Sequence, residues 1–165
     1  MSRLTTPFFG VVLAGLFCWT APAQPIIEQP SLTLSAAEKI VSACESLAKS
    51  KGWRVAIWVL DDNGEPVHMK RMEGAPAYDI QAAQMKAKTS RTWLSSSDPS
   101  DPKARFGKAI RAPQGQVVSV LSGSLPEAGG LPIIVDGKLA GTIGVSGAGA
   151  GDGQCAQAGL SAILK

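Results

Sequence analysis

The 165-residue sequence holds a single histidine, His68, so any Ser-His-Asp or Cys-His arrangement has one residue to draw on. It lacks H-E-x-x-H, C-x-x-C and a nucleophile elbow. The adjacent carboxylates Asp61 and Asp62 precede Asn63-Gly64 and are accounted for by that turn. Catalysis therefore has no support in the motifs. A strong charge of one sign is also missing. Without Arg3, 15 basic residues face 13 acidic ones, which is no electrostatic footprint for nucleic acid. The basic run Lys103, Arg105, Lys108 and Arg111 reads as a solvated helix face. The Gly-rich loop Gly147–Gly153 lacks the Gly-Lys-Ser/Thr ending of a P-loop and the G-x-G-x-x-G spacing, which argues against nucleotide binding.

Long apolar runs are absent as well. Phe8 to Trp19 is too short for a membrane span of about 20 residues. With Arg3 before it and Ala21-Pro22-Ala23 after it, it reads as the core of a signal peptide cleaved after Ala23. Phe17 before Cys18 argues against a lipoprotein site. The expectation is an exported protein, periplasmic in a Gram-negative source and otherwise secreted. Residues 1–23 are then signal, 24–31 an extended leader with two prolines, and 32–165 one domain. The mature 142 residues suffice for a sizeable core.

Two cysteines, Cys44 and Cys155, remain after cleavage, without metal-type spacing. Ser35 and Glu38 form a capping box that predicts a first helix, with Ile40, Val41, Cys44, Leu47 and Ala48 along one face and Gly52 as its stop. Trp53–Leu60 is apolar on both sides, as a strand covered on both faces would be. Asp62-Asn63-Gly64 turns the chain into a partner strand, Glu65–Met72. A second helix starts near Asp79 as N-cap and ends before Ser95–Asp101. A short helix spans about Lys103–Ile110, and Val117–Leu121 reads as a strand. A last helix carries Cys155, Ala158, Gly159, Ala162 and Ile163, with Asp152 as its N-cap. Hairpins rather than crossovers predict an α+β fold with an antiparallel sheet.

The most informative stretch is Gly129–Gly147, two strands joined at Asp136-Gly137. On its second strand Leu139, Ile143 and Val145 form a bulky set, and Ala140, Thr142, Gly144 and Ser146 a nearly bare one. A bare face suits either a helix packed very close or a ligand lying against the backbone.

Gly129-Gly130-Leu131-Pro132 and Gly141-Thr142-Ile143-Gly144-Val145-Ser146-Gly147 together resemble the end of GlcG/HbpS-like domains, called haem-binding or haem-degrading proteins. Arg71-Met72-Glu73-Gly74-Ala75-Pro76 is similar to that family's Arg-Met-Asp-Gly-Ala-Pro segment, and Lys86-Ala87-Lys88-Thr89 to its Lys-Ala-x-Thr helix. The resemblance implies a five-stranded, profilin-like antiparallel sheet with helices on both faces, and a homo-oligomer. It implies a module that binds haem or a related tetrapyrrole. The alternatives are a haem-degrading enzyme, or an accessory protein for a carboxylate metabolite or an exported redox enzyme.

On that reading the ring lies beside Gly144 and Ser146, with Arg71 or Lys86 holding its propionates and Thr89 reaching the same cleft. His68 is the best iron ligand by chemistry, and Met69 a poorer one. Each residue also has a plainer reading. Arg71 can pair with Glu73 or Asp79, Lys86 can be a surface lysine, Thr89 a packing residue and His68 an ordinary strand side chain. Relatives carry an acidic pair before the last helix, whereas here Asp152 is followed by Gly153. In the family fold the first and last helices lie near each other, which brings Cys44 and Cys155 within range of a disulfide. Nothing in the sequence fixes the helix register, so the expectation is two unpaired buried thiols.

Overall fold

The structure, a computed structural model, describes residues 28–164; the signal-peptide reading and Cys18 lie outside them. Helix α1 (Leu34–Lys51) opens two residues earlier than the Ser35 reading required. Thr33 is the cap, extended at φ −77° and ψ 154°, and its side chain accepts a hydrogen bond from the Ala36 N–H at 3.2 Å. Gly52 ends the helix in the left-handed conformation, as expected. Strand β1 (Ala56–Asp61) pairs antiparallel with β2 (Pro66–Arg71) on one side and with β4 (Lys138–Ser146) on the other. Strand β3 (Gly130–Val135) pairs with β4, giving the order β2-β1-β4-β3. Among the described residues the sheet has four strands, not five.

The missing strand is a helix. Val117–Leu121 lies within α4 (Gly115–Ser122), which follows the short α3 (Arg105–Ile110). A short apolar run does not choose between strand and helix by length alone. Here the spacing of Val117, Val120 and Leu121 puts all three on one helical face, and all three are exposed.

Helices cover both faces of the sheet. The main core lies between the sheet and the pair α1 and α5 (Asp152–Ser161), where Ile40, Cys44, Val55, Ile57, Val59, Ile143, Val145 and Cys155 are buried. Alternation along β4 breaks at Ala140. Ile133 pairs with Gly141 and Ile134 with Leu139, which leaves Ala140 without a cross-strand partner. Ala140 therefore joins the bulky core rather than the bare face. On the opposite face α2 (Ala77–Trp93) packs on β4, β3 and β1. Its N-cap is Pro76, so Asp79 sits inside the first turn rather than at the cap. There a carboxylate complements the positive helix end.

Cys44 and Cys155 form a disulfide, with Cα atoms 4.7 Å apart, which corrects the expectation of free thiols. Helix α5 packs along α1, and that register, invisible in either helix alone, brings the two side chains together. The bridge closes a separation of 111 residues, worth about 4–5 kcal/mol in the loop-entropy view. Thiol titration of the denatured, unreduced protein is expected to find none of the pair free. Reduction should lower the urea midpoint markedly; two free thiols before reduction would refute the bridge.

Candidate functional site

The bare face of β4 is occupied, and by a helix. A Cβ at Gly144 would lie 1.9 Å from the Ala83 carbonyl oxygen, and one at Gly130 would lie 2.2 Å from that of Lys86. The backbone of α2 thus rests directly on β4 and β3, with no room between them for a flat ring. This corrects the placement of a ligand against Gly144 and Ser146. Ser146 is buried, and its hydroxyl donates to Asp79 Oδ1 at 2.9 Å. Thr89 is equally committed: its hydroxyl donates to the Met85 carbonyl at 2.7 Å and accepts from the Leu125 N–H at 2.8 Å. It pins the loop after α4 to α2.

Lys86 is carried inside by the same packing. It is 2% exposed, the largest of the fully buried side chains, so it is no surface lysine. Its Nζ donates to Asp152 Oδ2 at 2.9 Å and lies 3.2 Å from Glu127 Oε2. Asp152 opens α5 rather than capping it, since Gly151 is the N-cap, and its other oxygen accepts from the Ala148 N–H at 2.8 Å. Burial raises the Asp152 carboxyl above the ordinary range, and the negative charge of Asp79 adds to this; Lys86 and the Ala148 N–H pull the other way. A cleft of about 470 Å³ opens over the pair, lined also by Asp98, Pro99, Pro126, Glu127, Ala128 and Gly149. Two carboxylates already share the charge of Lys86, so any further carboxylate reaches it only by displacing one of them.

The edge strand β2 carries the remaining expected residues. His68 is half-buried opposite Val59, on the α1 side of the sheet. Arg71 is exposed opposite Ala56, on the α2 side, and among the described residues it makes no ion pair, neither with Glu73 nor with Asp79. The structure therefore sets His68 and Arg71 on opposite faces and brings neither to Lys86. Helix α2 does not extend over β2, which leaves Met69, 42% exposed, open beside its cross-strand partner Trp58. The Trp58 Nε1–H is buried and has no partner among the described residues. Sequence reading missed Glu127 and Asp98 entirely, because loop carboxylates far from Lys86 carry no periodic or motif signal.

Replacing Lys86 with Met leaves Asp152 as a buried, uncompensated carboxylate, an arrangement that costs about 3–5 kcal/mol. The Asp152 pKa, already raised in the folded protein, should rise further. The penalty is greatest above that folded pKa and shrinks as falling pH protonates Asp152. Urea unfolding of Lys86→Met and wild type at neutral and mildly acidic pH checks this. A loss of stability that does not change with pH would show that Asp152 is not the group left unpaired.

The family model for the haem-degrading protein HbpS-like family matches residues 32–161. Protein GlcG of Escherichia coli strain K12 is 30% identical over 115 residues, covering 70% of this chain and 81% of GlcG. A double mutant of Streptomyces reticuli HbpS superposes with a TM-score of 0.73 at 30% identity, over 88% of this chain and 99% of that one. PduOC in complex with haem shares the fold, with a TM-score of 0.72 at 21% identity, over 81% of this chain and 96% of that one. The helix-covered antiparallel sheet and the match along most of its length together place this chain in the HbpS-like family.

Proposed function

We propose that the protein binds haem or a related tetrapyrrole on the uncovered flank of β2, and that it does so as an exported, self-associating protein. Membership of a family described as haem-degrading and HbpS-like carries this reading, and the same fold holds haem in PduOC. With the face of Gly144 closed by α2, the flank of β2 is the part of the sheet that supports a flat ligand best. Trp58 and Met69 lie side by side as an apolar shelf, and Arg71, two residues along the same face from Met69, is free to take a propionate through paired hydrogen bonds. Met69 is the ligand of choice for iron in that position, since His68 faces the other way. Breakdown of haem is the second reading, favoured by the family's description.

Two further observations support the setting. A disulfide buried in the core suits an oxidising compartment. The exposed apolar face of α4, Val117, Val120 and Leu121, suits contact with a second copy. The exported protein should begin at Gln24 by intact mass and scatter light as more than one 142-residue chain. A mass retaining residues 1–23, or a monomer at micromolar concentration, would remove the corresponding claim.

Haemin titration tests the ligand. Wild type is expected to give a saturable Soret change, and Arg71→Ala to bind about ten- to a hundredfold more weakly, equivalent to 1.5–3 kcal/mol. Met69→Leu should move the Soret maximum, and His68→Ala should not. Loss of the band under reductant and oxygen would favour breakdown over holding. If His68→Ala moves the maximum instead, the ring lies on the α1 side and the proposed position fails. No saturable change in wild type would end the haem reading.

A further inference from the structure

Lys86 has two carboxylate partners of very different kinds. The Asp152 side chain is 5% exposed and belongs to the interior, whereas the Glu127 side chain is 49% exposed. A buried ammonium requires its inner partner, because an unpaired charge at that depth is costly. The outer partner is not needed for this. The Glu127 main chain is fixed from below: the Ser97 hydroxyl donates to the Glu127 carbonyl and accepts from the Gly130 N–H at 2.9 Å. Its side chain, by contrast, has Lys86 as its one ion-pair partner among the described residues. Glu127 thus lays a carboxylate on a buried cation at the floor of an open cleft, and nothing else holds that carboxylate there.

We propose that a small aliphatic monocarboxylate binds in this cleft by taking the place of the Glu127 carboxylate on Lys86 Nζ. The exchange keeps the charge balance of Lys86 unchanged, since one carboxylate replaces another and Glu127 turns into water. Pro99, Pro126 and Ala128 give the cleft small apolar walls suited to a short alkyl chain. Asp98 on the same rim opposes a second negative charge, which selects monocarboxylates over dicarboxylates. The rim carboxylates do not form a cation cage, because among the described residues no group of three or more His, Cys, Asp or Glu is placed to hold a metal ion. The site is separate from the flank of β2 and does not rest on haem binding.

The test is a titration of the ¹⁵N-labelled full chain with sodium propionate at constant ionic strength, against a sodium chloride control. Amide signals of Ala128, Gly149 and Asp152 should shift saturably. Glu127→Gln removes the internal competitor and should tighten binding by up to about fivefold, the worth of one exposed ion pair. The double variant Lys86→Met/Asp152→Leu replaces the buried pair with apolar side chains and should lose the shift while keeping a folded spectrum. Arg71→Ala should leave propionate binding untouched, which separates this site from the haem reading. The proposal is overturned if Glu127→Gln binds no tighter than wild type, if no saturable shift exceeds the salt control, or if the double variant still binds.

Discussion

The approach of α2 to the sheet governs most of what this protein can do. At Gly144 and Gly130 the strands present no side chain, and the Ala83 and Lys86 carbonyls lie where a Cβ would be. Even one methyl group at either position would have to push a helix backbone away from a sheet, the costly kind of overpacking, because backbone cannot rotate aside. Such proximity buries the inner face of α2 whatever its chemistry. Alongside Ala82, Ala83 and Ala87 it buries Asp79, Lys86, Thr89 and Ser90, and each of these polar groups then needs a partner.

Ser90 donates to the nearby Ser95 carbonyl, and the other three find partners later in the chain. Ser146 serves Asp79, the Leu125 N–H serves Thr89, and the first residue of α5 serves Lys86. Asp79 in the first turn of α2 is therefore tied to the last residue of β4, and Lys86 midway along α2 to the first residue of α5. One turn further along, helix α5 is also held by the disulfide from Cys155 to α1. The Lys86–Asp152 pair consequently sits on rigid elements, while Glu127 approaches it from a loop. That contrast between a fixed inner partner and a movable outer one makes the cleft chemically distinctive, and it separates this cleft from the exposed flank of β2.

Much of this was legible beforehand. The sorting of small and bulky residues along Gly141–Ser146 allowed a close helix or a ligand, and the structure has the helix. The turn at Asp136-Gly137 was readable because both residues adopt positive φ, 49° and 76°, which few other pairs tolerate. The order of elements was readable except at Val117–Leu121, where a β-branched run hid a helical spacing. The role of Lys86 was not. Its fourfold apolar stem and single charge look the same in sequence on a solvated face as beside a buried aspartate.

By itself the sequence determined what depends on neighbours a few residues away: the stop of α1 at Gly52, the two hairpins, the two-sided burial of β1, and the motifs that mark the family. Tertiary structure alone decided which distant groups meet. Lys86 and Asp152 stand 66 positions apart and Cys44 and Cys155 stand 111 apart, and no local propensity ties either pair. His68 and Arg71 show the converse. Three residues apart on one strand, they are parted by the sheet itself, because side chains alternate across it and α2 stops short of that edge.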